Sequence, residues 1–197
     1  MVVSPQQNYL TPEEYLQLEL QADVKHEYID GYAYAMAGAS DSHVTVSGNL
    51  FALLRNHVRG SGCRVFISDM KARIEQLNRY YYPDVMVTCV SEACPKDMER
   101  DKQNTRSKKF PCLIVEVLSE STEAFDRGDK FADYQILETL QEYVLINVKR
   151  QRVECFRRNK EGLWLLQSYT DQDKYFQLQS VNFEAEMSAL YEDVVFA

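Results

Sequence analysis

Two apolar runs stand out by how each is interrupted. Tyr80-Tyr81-Tyr82-Pro83-Asp84-Val85-Met86-Val87-Thr88 and Cys112-Leu113-Ile114-Val115-Glu116-Val117-Leu118 have the near-continuous hydrophobicity of strands covered on both faces, yet each carries one carboxylate. Side chains alternate along a strand, so Glu116 shares a face with Ile114 and Leu118, and Asp84 shares one with Tyr82 and Met86. If the two runs are neighbouring central strands in register, both acids project to one side. An ionised carboxylate taken out of water costs on the order of several kcal/mol unless a cation compensates it. Close like charges raise at least one pKa, and a bound divalent cation removes that repulsion. The plainer alternative is an Asp entering a strand after Pro83 and a Glu paired with an arginine.

The rest of the chain alternates between helical and strand periods. Thr11-Pro12-Glu13-Glu14 has the form of a helix N-terminus, with Thr11 as cap, and Tyr15, Leu16, Leu18 and Leu20 supply its apolar side. Asp30-Gly31 between two aromatic and aliphatic runs predicts a type I′ hairpin that explains both residues by the turn alone, leaving Glu27 as an unexplained strand acid. Ser40-Asp41-Ser42 caps a helix to about Arg59, with Gly60 past its end. One stripe of that helix holds His43, Ser47, Leu50, Leu54 and His57, and a neighbouring one Val44, Phe51 and Val58. His43 is therefore a possible site-edge residue as well as an ordinary structural hydrogen bonder.

Residues 63–74 read as the first core strand, interrupted or bulged near Ser68-Asp69. The polar stretch 91–110 reads as a long loop, and its Arg100, Lys102, Arg106, Lys108 and Lys109 make it the candidate substrate-contacting flap. A helix is expected from about Glu123 or Arg127 to Glu138, with Lys130, Tyr134 and Leu137 on one face. A helix directly after a strand packs back across it, which would bring Lys130 inward; a surface ion pair with Asp126 or Asp133 is the alternative. A buried strand at 142–148, a hairpin across Asn159-Lys160-Glu161-Gly162, a strand at 175–178 and a closing helix at 184–192 complete the pattern.

The chain has 197 residues, 45% of them hydrophobic, enough for one good-sized core and short for two, so a single α/β domain over 1–197 is expected, with 1–10 a loose tail. No apolar run is long enough for a membrane span, and the start lacks a secretory pattern; a cytoplasmic protein is expected. Cys63, Cys89, Cys94, Cys112 and Cys155 are odd in number and show no C-x-x-C, which argues against a disulfide framework or a zinc site and for a reducing compartment. Seven glycines and no Walker, Rossmann or G-x-S-x-G pattern argue against nucleotide cradling and serine hydrolase chemistry. A net charge of −8 opposes general affinity for nucleic acid, although local basic clusters remain around 55–64, 100–109 and 150–160.

Pro83-Asp84, Glu116-Val117-Leu118-Ser119 with Ser121-Thr122, and Asp126-Arg127-Gly128-Asp129-Lys130 occur in an order that resembles the Uma2 endonuclease family, within the PD-(D/E)XK nuclease superfamily. Glu27-Tyr28-Ile29-Asp30-Gly31 and Glu142-Tyr143-Val144-Leu145-Ile146 extend the resemblance, which covers roughly 11–160, and the tail resembles the family's closing strands and helix. The resemblance implies a restriction-endonuclease-like α+β core, a central mixed sheet flanked by helices, with an N-terminal hairpin and extra C-terminal strands. It also implies metal-dependent hydrolysis of DNA phosphodiesters, with Asp84, Glu116 and Glu27 around Mg²⁺ or Mn²⁺. The superfamily signature places a Lys two residues after the strand Glu, where this chain has Leu118; the matching residue is Lys130 of the following helix. Cutting both strands of a duplex from one site per chain implies a homodimer. The competing classes are a nuclease-like scaffold without catalysis, motivated by Leu118 and the negative charge, and a metal-dependent hydrolase of smaller substrates.

Overall fold

The computed structural model describes residues 9–90, 101 and 103–196. Among these residues the larger sheet runs, edge to edge, β11 (Trp164–Thr170), β10 (Arg152–Arg158), β9 (Glu142–Asn147), β8 (Leu113–Leu118), β6 (Val85–Cys89) and β3 (Cys63–Ile67). A five-stranded sheet follows the order β2 (Tyr32–Ala35), β1 (His26–Ile29), β5 (Arg79–Tyr81), β4 (Lys71–Ile74) and β7 (Ser107–Lys108), and β12 (Tyr175–Leu178) pairs with β13 (Phe183–Glu186). β8 runs parallel to β9, and β4 to β7; the other pairs are antiparallel. The helices are α1 (Pro12–Leu18), α2 (Asp41–His57), α3 (Glu123–Arg127), α4 (Asp129–Tyr134) and α5 (Met187–Leu190). This is the α+β arrangement the sequence implied, with its mixed central sheet, N-terminal hairpin and added C-terminal strands.

The larger sheet separates two apolar layers. On one face Val85, Val87, Val115 and Val117 pack with Val46, Leu50 and Leu54 of α2 and with the β12–β13 ribbon. On the other, Met86, Ile114, Leu118 and Leu145 pack with Phe131 and Tyr134 of α4 and with Ala72, Ile74 and Tyr81 from the smaller sheet. Thr11 caps α1 through a reciprocal pair with Glu14, and Ser40 caps α2 by accepting from the His43 N–H. The Asp30-Gly31 turn has φ of 49° and 95°, the two positive values that a type I′ turn requires.

Several expected boundaries move, each for a local reason. The run 80–88 is two strands in two sheets, because Pro83 has no N–H to give a ladder and the chain leaves β5 at Tyr82-Pro83-Asp84 before entering β6. The run 63–74 likewise divides: Ser68, at φ 50°, turns the chain out of β3 before β4 joins the smaller sheet. The expected helix to Glu138 stops at Tyr134 and breaks at Gly128, where an added Cβ would lie 3.1 Å from the Ala124 carbonyl oxygen. Residues 183–186 form β13, so the closing helix shrinks to the single turn α5. On α2 the buried neighbour of Leu50 is Val46, while Val44 is 60% exposed. That helix ends at His57, with Val58 rather than Gly60 following it.

The sulfurs of Cys63 and Cys89 are bonded, since the two residues face each other across β3 and β6, and an odd cysteine count does not exclude one such cross-strand pair. The cysteines therefore do not favour a reducing compartment. In the proposed flap, residues 91–100 and 102, with Arg100, Lys102 and Cys94, lie outside the described residues. Of the remaining basic residues Lys108 is buried in β7, where its ammonium donates to the carbonyls of Asp101 and Asn104, and Lys109 pairs with Glu75 at 2.6 Å.

Candidate active site

The β6–β8 register pairs Val85 with Val115 and Met86 with Ile114, so its continuation sets Asp84 opposite Glu116. Facing residues of an antiparallel pair point to the same side. Asp84 stands at the head of β6, just beyond the proline, and its side chain takes over a bond that the ladder would otherwise make: Oδ2 accepts from the Val117 N–H at 2.7 Å. Its backbone carbonyl accepts from the Ser68 N–H at 3.0 Å, and Oδ1 lies 2.8 Å from His43 Nε2 at the start of α2. His43 thus reaches the same carboxylate from the opposite apolar layer. Its other ring nitrogen, Nδ1, is buried with no hydrogen-bond partner among the described residues.

Glu116 is buried at the centre of β8, and Lys130 of α4 lies over it with Nζ 3.0 Å from Oε1. The same ammonium is 2.9 Å from Glu27 Oε1, an ion-pair distance without hydrogen-bond alignment, and 3.4 Å from Asp126 Oδ1. Glu27 arrives from β1 in the smaller sheet, and Asp126 from α3, one helical turn before Lys130. The Tyr134 hydroxyl donates to Glu116 Oε1 at 3.2 Å. Lys130 is 4% exposed, so it is neither the surface ion pair that the sequence left open nor a solvated side chain.

The cluster shifts the ionisation of Glu116, Lys130 and Tyr134. Burial pushes the Glu116 carboxyl well above its ordinary range; the Lys130 charge opposes that, while Asp126, Asp84 and Glu27 add to it. Burial alone would lower the Lys130 ammonium, but Glu116 and Glu27 outweigh it and hold the ammonium well above the usual lysine range. Burial, then the Glu116 charge, raises the Tyr134 phenol. Three carboxylates (Glu27, Glu116 and Asp126) therefore gather around one lysine, and Asp84 acts on Glu116 from the other side of the group, so acids outnumber cations in a low-dielectric setting.

Asp84, Glu116, Glu27, Lys130 and His43 thus lie in one neighbourhood, although they come from five elements or junctions. Sequence reasoning did not single out Asp126 or Tyr134 as site residues. The available signal was their spacing, four residues before and four after Lys130, which puts all three on one side of consecutive helical turns. The basic cluster at 150–160 belongs elsewhere: Arg157 binds Glu142 at 2.7 Å, and Arg158 donates to the carbonyls of Gln135, Leu137 and Glu138.

The donor set suits a hard cation of modest protein coordination. Among the described residues, no three His, Cys, Asp or Glu side chains form a ready cage. Among those residues the buried Glu27 Oε1 accepts no hydrogen bond, while Glu116 Oε1 is shared by Lys130 and Tyr134. An oxygen-only set of one or two carboxylates fits Mg²⁺, which retains several waters.

The mixed sheet, the facing acids and the lysine from the next helix define a nuclease-like α+β protein. The Uma2 sequence profile, described as a putative restriction endonuclease, matches residues 12–189, and the chain belongs to that family. It is similar to two uncharacterized proteins of Synechocystis sp. One, slr1290, is 39% identical over 95% of this chain and 94% of its own; the other, sll1609, is 39% identical over 84% and 90%. A crystal structure of a putative nuclease belonging to DUF820 from Anabaena variabilis has a TM-score of 0.70 at 15% identity, covering 91% of this chain and 98% of that one. Among the described residues no helix is long and apolar enough to cross a membrane.

Proposed function

We propose that the protein is a divalent-metal-dependent endonuclease that hydrolyses phosphodiester bonds of DNA. The observation that carries this reading is the surplus of buried carboxylates over cations around Glu116. Asp84 and Glu116, with Glu27 behind them, would hold Mg²⁺ or Mn²⁺. Such an ion, when bound, supplies a nucleophile at neutral pH and shields the phosphate charge. His43 fixes the rotamer of Asp84 through the 2.8 Å contact, and Val117 N–H holds its second oxygen. Lys130, fixed by its acids, is the group that orients the attacking water or meets the charge that builds on the phosphoryl oxygens. It would fill the part that Leu118 cannot, because a leucine side chain carries no cation. Duplex cleavage would be completed by a second copy of the chain.

A second reading is favoured by a specific feature: Lys130 already contacts three carboxylates, so the cluster also suits a scaffold that keeps the fold and has lost the chemistry. Two measurements separate the readings. Wild type is expected to nick plasmid in Mg²⁺ or Mn²⁺ and to bind the ion by calorimetry, with Asp84→Asn and Glu116→Gln each losing both. A pure wild-type protein that neither binds the ion nor cuts any nucleic acid establishes the scaffold. Sedimentation with and without a duplex tests the dimer.

A further inference from the structure

Lys71 opens β4 and is 9% exposed, yet among the described residues it has no ion pair and no hydrogen bond through its ammonium. Its contact is the Tyr82 ring, 4.7 Å from Nζ to the centroid. Lys25 approaches the same ring at 5.7 Å, and the Arg106 charge acts on Lys71 from the segment leading into β7. The neighbouring acids are committed elsewhere. Glu19 accepts from the Tyr82 hydroxyl and from the His26 backbone N–H and lies 2.9 Å from His26 Nδ1, and Asp69 pairs with Lys25.

An ammonium that has lost part of its hydration and has no ion pair is poorly compensated, and desolvation lowers the Lys71 pKa against the opposing pull of the Glu19 charge. An anion brought to the ring would relieve that. Tyr82 is separated from Asp84 only by Pro83, so the ring lies about 7 Å of extended chain from the acid. At an axial rise of about 3.4 Å per phosphate, that is on the order of two nucleotide steps along a strand.

We propose that Lys71, seated on Tyr82 and flanked by Lys25 and Arg106, contacts a backbone phosphate of the DNA strand beside the scissile bond. This rests on the nuclease reading above and adds where the substrate is gripped. It also answers the objection from the net charge: the grip is a short, local one formed by three cations from three segments, and no broad basic face is needed.

The test is fluorescence anisotropy of a labelled duplex with the full-length protein in Ca²⁺, across a salt series, for wild type, Lys71→Met, Lys71→Arg and a remote control, Lys174→Met. Lys71→Met is expected to weaken binding about tenfold and to reduce the slope of log affinity against log salt by about one. Lys71→Arg and Lys174→Met stay within about twofold of wild type on the same measure. Because the substitution removes a partly desolvated charge that has no ion pair, its Tm is expected to hold or rise while affinity falls. A side chain kept only for packing on Tyr82 gives the reverse, a lower Tm with unchanged affinity and slope, and that result overturns the proposal. If wild type cuts DNA and Lys71→Met binds as wild type does, the phosphate contact is wrong and the nuclease reading survives. If wild type binds no duplex, both are wrong.

Discussion

Lys130→Met isolates the charge balance of the site, because methionine keeps much of the apolar stem and deletes the ammonium. Lys130 lies within 3.4 Å of Asp126 and closer to Glu27 and Glu116, all of them buried. Removing one partner of a buried pair costs about 3–5 kcal/mol, and serving three acids puts this position near the upper end. For a chain of this length each kcal/mol moves Tm by about 2–4 °C, so a fall of about 10 °C or more is expected at neutral pH. The pH dependence is the sharper signature. The folded Glu116 carboxyl is raised by burial above the ordinary 4.5, so its contribution to stability is fully present below the unfolded value and is lost as pH rises through the folded one. Without the lysine the carboxyl rises further, and the loss extends across neutral pH. Wild type keeps the compensation there, since its ammonium is held above the usual lysine range and fails only in strong alkali. Urea unfolding in EDTA at pH 5 and pH 8 should therefore show a deficit that is small at the lower pH and wide at the higher. A deficit under about 1 kcal/mol, the scale of an exposed pair, or one that narrows with rising pH, would refute the electrostatic account.

Three further outcomes follow from the packing and the bonds. Tyr134→Phe removes the hydroxyl that donates to Glu116; a hydrogen bond to a charged group is worth about 1.5–3 kcal/mol, so calorimetry should show a changed ion affinity with the fold intact by circular dichroism. Leu50→Ala, at a fully buried position in the layer beneath α2, should cost about 2–5 kcal/mol in denaturant unfolding, whereas Val44→Ala, 60% exposed on the same helix, should stay within about 0.5 kcal/mol. Reducing the Cys63–Cys89 bond, which closes a loop of sequence separation 26, should cost about 3–4 kcal/mol; unchanged melting in reductant would remove that bond from the stability account.

Much of the site was legible because a carboxylate in an apolar strand breaks its own pattern. Asp84 and Glu116 each did so, and period-two geometry gave the expectation of a common side. The inward position of Lys130 followed from a helix placed directly after a strand. What could not be read was how the two halves of a hydrophobic run divide between sheets. Tyr80-Tyr81 and Val85-Met86 look alike in hydrophobicity, and the proline alone separates a strand of the smaller sheet from one of the larger. The His43 contact with Asp84 was only partly legible: its helical stripe made His43 a site-edge candidate, but a contact between residues 41 apart has no local signal. Asp126 looked like a helical surface acid because its burial depends on the break at Gly128, a tertiary event without a periodic signal. The disulfide escaped for the same reason: strand order, which no local pattern encodes, brings Cys63 opposite Cys89.

The passage Tyr82-Pro83-Asp84 restricts how this chain can change in length. β6 is clamped on both sides by β3 and β8, and β5 by β1 and β4, so neither strand can slide to absorb an added or lost residue between them. Because successive strand side chains alternate, a slip of a single position would turn the acid away from Glu116. Hairpin tips and the turns beyond β9 can tolerate insertions, but this three-residue bridge has a fixed length.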